Sequence, residues 1–127
     1  METELIIDGM TFTSQADGSE SSIALDLAVF SARRAKHIAP YILVHEVDAN
    51  TALKLGWQHG PQGLGEWTDG SADLFDSSGA ISSGLHSGGA TEVLEADQIR
   101  PVVKVVATSG TDRVQLRLSV WMVKKPF

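Results

Sequence analysis

The side chains able to do chemistry in this 127-residue sequence are histidines, serines and carboxylates, because cysteine is absent. Without cysteine there is no disulfide, no thiolate metal site and no cysteine nucleophile. The four histidines, His37, His45, His59 and His86, lack the His-x-His or His-x-x-x-His spacing that sets two ligands on one face. They read as residues of loops and of one strand, not as a metal site. Serine is plentiful, but no Gly-x-Ser-x-Gly elbow occurs. A hydrolytic triad would need one serine beside a histidine and a buried carboxylate, and no spacing points to one. Acids group at Asp17/Glu20, Glu46/Asp48, Glu66/Asp69/Asp73/Asp76 and Glu92/Glu95/Asp97. Paired carboxylates serve glycoside hydrolysis and oxygen ligands hold calcium. The spacing of Asp69, Asp73 and Asp76 fails the EF-hand pattern, so solvated loop acids are the favoured reading. Gly60-Pro-Gln-Gly-Leu-Gly65 lacks the lysine and helix of a phosphate cradle and reads as a turn. No catalysis, cofactor or metal is expected.

Those residues need elements to position them, and the clearest element is a strand. In Asp112–Lys124 the residues Val114, Leu116, Leu118, Val120 and Met122 alternate with Arg113, Gln115, Arg117 and Ser119. A period of two gives one buried and one wet face, which a helix at about 100° per residue does not. Ser109–Asp112 has turn residues, and Arg100–Ala107 before it is rich in β-branched residues, so the two segments predict an antiparallel hairpin. Tyr41–Val47 and Ala52–Gln58, around the spacer Asp48–Thr51, predict a second hairpin, with Leu53, Leu55 and Trp57 on one face. Weaker strand signals lie at Ile23–Leu27, around Trp67, and at Leu74-Phe75. Leu5–Ile7 and Met10–Phe12 flank the turn signal Asp8-Gly9. Short helical turns are expected within Leu27–Ile38 and Val93–Ile99.

Between the strands run Gly/Ser-rich stretches, Thr13–Ser22 and Ser77–Gly89. The second is long for a loop of a compact domain, and residues 77–89 are expected to be flexible. About seven or eight short strands in one chain of this size predict an all-β fold. It is a single antiparallel β-sandwich or jelly-roll-like domain spanning residues 1–127. Residues 1–9 and 124–127 are its candidate contact arms.

Charge narrows the partners. A net charge of −6 opposes generic nucleic-acid binding, and the basic clusters Arg33/Arg34/Lys36 and Lys124/Lys125 are short. No apolar stretch approaches a membrane span, and the acidic start Met1–Asp8 does not look like a secretory signal, so synthesis in the cytoplasm is expected. One aromatic breaks the pattern of its strand. Trp121 shares parity with Arg117 and Ser119 on the wet face, with Val123 beyond it. A tryptophan on a polar face is a candidate contact with another subunit, and the apolar end Pro126-Phe127 suits an anchor. The candidate partner interface is therefore Trp121, Val123, Pro126 and Phe127. A carbohydrate-binding module, with loop acids and Trp67 or Trp121 contacting sugar, is the alternative.

Three stretches carry a family likeness: Met10–Leu27, Leu53–Asp69 with its Trp67-Thr-Asp69, and Ile99–Val120 with its Gly110-Thr turn and alternating last strand. From about Met10 to Val123 the sequence resembles small virion proteins of tailed bacteriophages. Pro101 inside the penultimate strand and the long Ser77–Gly89 stretch depart from that pattern. The resemblance implies a jelly-roll-like virion component, a head decoration protein or another capsid- or tail-associated subunit. Its partners would be other virion proteins, the major capsid protein or a tail or connector subunit, and it would act as a homo-oligomer. It brings no catalytic residues.

Overall fold

The structure is a computed structural model and describes residues 1–93 and 96–127. Its strands, in chain order, are β1 (Glu2–Thr13), β2 (Ser21–Ala24), β3 (Phe30–Ser31), β4 (His37–Val47), β5 (Thr51–Gly60) and β6 (Thr68–Asp69). They continue with β7 (Phe75–Ala80), β8 (Gly84–Ser87), β9 (Thr91–Glu92), β10 (Gln98–Ala107) and β11 (Gln115–Lys125). A single 3-10 turn, Asp26–Ala28, is the one helical element among the described residues. The fold is all-β, as the alternation predicts.

The strands form two antiparallel sheets. One has the order β1-β11-β4-β8, with β9 also on β4; the other has the order β2-β10-β5-β6, with β3 on β10 and β7 on β5. Setting aside the two-residue strands β3, β6 and β9 leaves eight. Their pairing is nested: β1 with β11, β2 with β10, β4 with β8, β5 with β7. The first strand meets the last, the second the second-last, and so inward. Joining β11 to β4 and β10 to β5 then closes the two sheets. A long hairpin rolled up in this way is a jelly roll, and double-sheet closure protects most strand edges.

This nesting overturns both predicted hairpins. β10 and β11 lie in opposite sheets, as do β4 and β5. The turns at Asp48–Thr51 and Ser109–Asp112 reverse the chain across the sandwich, not within a sheet. Each strand still buries one face, so its alternation is the same whichever neighbour it takes. The predicted break at Asp8-Gly9 is also absent. β1 runs through it as one strand with register shifts at Leu5/Ile7 and Ile7/Met10, and Gly9 adopts φ +63°. Such bulges kink an edge strand without ending it.

Other expectations shift for local reasons. Residues 1–9 are not a free arm, because Glu2 to Leu5 pair with Lys124 to Trp121 and, past a bulge, Ile7 pairs with Val120. Lys124 and Lys125 likewise belong to β11, and only Pro126 and Phe127 extend beyond it. The Ser77–Gly89 stretch contains most of β7 and all of β8. It lacks an apolar alternation because it supplies edge strands, and the Ser77 hydroxyl accepts the Leu53 N–H at 3.1 Å. The helical reading of Leu27–Ile38 reduces to the 3-10 turn followed by β3 and the start of β4. Of the predicted turn Val93–Ile99, residues 94 and 95 lie outside the described residues, while Gln98 and Ile99 open β10.

Pro101 sits inside β10 without breaking it. Its carbonyl accepts the Leu25 N–H at 3.0 Å, on the side of β10 away from β5. A strand residue's N–H and C=O point the same way, so the missing N–H costs no bond to β5. On that open side β3 ends at Ile99 and β2 begins opposite Val102.

The inner faces meet in one core. Leu116, Leu118, Val120 and Met122 of β11 and Ile38, Ile42 and Val44 of β4 come from one sheet. Leu53, Leu55 and Trp57 of β5 and Ile99, Val103 and Val105 of β10 come from the other. Trp57 is core, as its parity with Leu53 and Leu55 predicts, and its indole N–H donates to the Ala72 carbonyl at 2.9 Å. Gly70 lies against that ring, where a Cβ would overlap it.

Candidate functional site

The structure disperses most residues with chemical potential. His37 Nδ1 lies 3.2 Å from the Phe127 carbonyl oxygen and His86 Nε2 lies 2.8 Å from the Ser82 carbonyl oxygen. His59 packs on Trp57 with ring centroids 5.4 Å apart. Among the described residues, no three His, Asp or Glu side chains converge as metal ligands.

One serine does meet a histidine. Ser119 Oγ is 2.8 Å from His45 Nε2 and accepts the Gly9 N–H at 2.8 Å. Ser119 is only 2% exposed, so no substrate reaches it from solvent. Its place explains the contact. β11 is flanked by β1, whose register slips between Ile7 and Met10, and by β4, whose register slips at His45. Ser119 ties down both irregular stretches with one hydroxyl. The predicted wet-face residue is thus a buried pin between two bulges.

The middle of the outer face of the same sheet is largely apolar. Residues opposite one another in an antiparallel pair share a face. Leu5, Trp121, Tyr41 and Ser87 therefore form one row across β1, β11, β4 and β8. Leu43 and Leu85 form a second row beside it. Leu5 and Tyr41 are each 45% exposed and Leu85 is 65% exposed, while Trp121 and Leu43 are half-buried. Of the four predicted contact residues, Trp121 lies centrally in this face. Val123 is on the same face but buried, and Pro126 and Phe127 project beyond the strand, Phe127 being 76% exposed. Sequence reasoning missed Leu5, Tyr41, Leu43 and Leu85. Leu5, Tyr41 and Leu43 look like ordinary strand apolars, and Leu85 falls in a stretch read as a Gly/Ser-rich loop, until the non-local pairing lines them up with Trp121.

The outer face of the β2-β10-β5 sheet is different. Arg100 pairs with the Asp26 carboxylate, donates to Gln58 Oε1 at 2.9 Å, and lies 4.5 Å from the centroid of the Trp67 ring. Gln58 donates in turn to Asp69 at 2.9 Å. Lys104, which stands opposite Lys54, donates to Asp73 at 3.0 Å. One face of Trp67 is thus occupied by the protein's own guanidinium, and much of the loop acid group Asp69/Asp73 is spent on internal partners.

A cleft of about 500 Å³ opens at one end of the sandwich, lined by Met1, Glu2, Ser31, Arg33, Arg34, Lys124 and Pro126 among others. Its charges are mostly paired. Lys124 contacts Glu2 at 2.9 Å and Glu4 at 3.5 Å, and Arg33 donates to Asp97 at 2.6 Å. The Lys124 hydrogen bond holds the Glu2 carboxyl below its ordinary range. Lys124 itself is raised: burial works against its charge, but Glu2 and Glu4 outweigh it.

The geometry defines a class, the antiparallel jelly-roll sandwich with eight principal strands. No family model matches the sequence, and no curated protein matches it. Among solved structures, the chain is similar to that of the infectious bursal disease virus VP2 subviral particle, with a TM-score of 0.68 and 14% identity over 98% of this chain. It is also similar to the structure of infectious bursal disease virus strain Gx, with a TM-score of 0.61 and 15% identity over 95% of this chain. The chain spans 32% and 30% of those two chains. At such identities the likeness is one of fold.

Proposed function

We propose that this chain is a structural subunit of a virion, a capsid or capsid-associated component that works by contact with neighbouring subunits. The observation that carries this reading is the fit of nearly the whole chain, 98%, to part of a viral particle protein. The nested topology supports it, since viral capsid domains are among the proteins built on the double-sheet jelly roll. The resemblance of Met10–Val123 to small virion proteins of tailed bacteriophages narrows the proposal to a head decoration or tail-associated subunit. Its partners are then the major capsid protein or a tail or connector subunit. The exposed features that suit such contacts are the face around Trp121 and the end Pro126-Phe127.

The test is mass spectrometry and electron cryomicroscopy of particles purified from the organism that encodes the chain. The expected result is a sandwich of this size repeated under the particle's symmetry. Absence of the chain from purified particles would overturn the proposal.

A further inference from the structure

The two rows on the outer face of the β1-β11-β4-β8 sheet lack a cover among the described residues. We infer that this face packs against the same face of a second copy of the chain, with the strands of the two copies running in opposite directions. The inference deepens the structural reading above by naming one partner.

Area is the first support. β1, β11 and β4 have 12, 11 and 11 residues and β8 has four. At about 3.3 Å per residue and about 4.8 Å between strands, the face measures roughly 600 Å². A standard interface covers about 600–1,000 Å² per partner, so the face suffices for a dimer at the small end of that range. Two sheets with apolar facing rows pack as the interior of a sandwich does.

Charge is the second support, and it fixes the direction. The middle of the face, from Leu43 and Leu85 to Trp121 and Leu5, carries no charge. At one end the row runs from Lys125 through His37 to the exposed Glu92, with the exposed Lys36 beside it, so two lysines outnumber one glutamate. At the other end Glu46 and Asp48 outnumber Arg117, which lies 3.9 Å from Glu46. A twofold axis in the plane of the sheet and across the strands sets the basic end of each copy on the acidic end of the other. The contact is then made twice. An axis along the strands would oppose like ends and is disfavoured by the same charges.

The edges argue against the other common mode, strand addition. β1 is kinked by bulges and carries Glu2, Glu4 and Asp8, and β8 is four residues long. Both are features that blunt an edge. A membrane is a poor occupant, because the lysines at one end of the face are offset by acids at the other and the chain is acidic overall.

The test is sedimentation velocity of the purified chain across a dilution series, with variants at exposed positions. The parent is expected to show a concentration-dependent dimer. Tyr41→Glu and Leu85→Glu should each weaken it by at least tenfold with an unchanged circular dichroism spectrum. Lys125→Glu and Glu46→Lys should each weaken it, and the double variant should regain most of the loss. A parent that stays monomeric, or a dimer indifferent to Tyr41→Glu and Leu85→Glu, overturns the inference. So does a monomer that binds glycan, or another virion protein, through this face. Incorporation into particles is read separately. A monomeric chain found in particles sinks the dimer and leaves the structural role standing. A dimer absent from particles does the reverse.

Discussion

The two sheets of this sandwich bury equivalent inner faces but present opposite outer ones. Outside β10 and β5, Arg100, Gln58, Lys104, Asp26, Asp69 and Asp73 bond to one another, and the ring of Trp67 lies against Arg100. Outside β11 and β4, Leu5, Tyr41, Trp121 and Leu85 meet solvent with no such network. A polar face whose groups are already paired has little left to offer a partner. An apolar face of comparable size gains by being covered. The difference teaches that exposure alone does not mark a contact surface. What counts is whether the exposed groups have spent their interactions inside the chain.

The largest expected effect tests the distinction between inside and outside on which the comparison rests. Leu116 is buried on the inner face of β11 and Arg117, its neighbour, is on the outer. Leu116→Ala should cost about 2–5 kcal/mol in urea unfolding. Arg117→Ala should stay within about 0.5 kcal/mol. Similar small losses at both positions would break the assignment of faces.

Next in size is the pin between the bulges. Ser119→Ala leaves the Gly9 N–H and the His45 ring without their partner in a buried place. The expected loss is about 1–3 kcal/mol in unfolding free energy. The same change at the exposed Ser87, in the row of Tyr41, should be nearly silent. If Ser119→Ala is silent too, the outer face of β11 is not held in the register that aligns its apolar rows.

A smaller effect separates the two outer faces directly. Arg100→Met removes the bonds to Asp26 and Gln58 and the charge over Trp67, and should cost about 1–2 kcal/mol of thermal stability. Tyr41→Ser should leave the stability of the dilute chain within about 0.5 kcal/mol. A loss at Tyr41 equal to that at Arg100 would mean that the apolar face is already used within the chain.

Parts of this picture were legible in the sequence for a physical reason. Burial of one face writes a period of two, so β11, β10, β4 and β5 could be read, and Trp57 could be placed in the core. Pairing writes no such local mark. Tyr41 and Trp121 lie side by side only because β4 is the neighbour of β11, although six strands separate the two along the chain. Turn chemistry at Asp48–Thr51 and Ser109–Asp112 announced chain reversal but not whether the next strand stayed in the same sheet. Ser119 looked wet because serine is ordinarily solvated. Its burial depends on Gly9 and His45, distant in sequence and brought together by the bulges. Trp121 was found because a tryptophan among polar residues is visible locally. Leu5 and Leu85 carried no such contrast.

The smallest effect concerns pH and extends the comparison to the loops. Asp97 links the segment after β3 to the loop after β5, receiving the Arg33 guanidinium at 2.6 Å and the Gln62 N–H at 2.8 Å. The Arg33 hydrogen bond first, and the Gln62 backbone bond next, hold its carboxyl below the usual range. A carboxylate held low in the folded state binds a proton less readily there than in the unfolded chain. Its contribution is therefore present above the ordinary carboxylate value and is lost as pH falls through the lower, folded one. Asp97→Asn should lower the melting temperature slightly at neutral pH and flatten the acid limb of the stability curve, so that variant and parent converge in acid. Tyr41→Ser, with no titratable partner bonded to it, should leave both the curve and its acid slope nearly unchanged. Parallel curves for Asp97→Asn and the parent down to strongly acid pH would remove this contact from the pH-dependent part of stability. Acid sensitivity would then lie with the remaining pairs, Glu2 with Lys124 foremost, at the basic end of the sandwich.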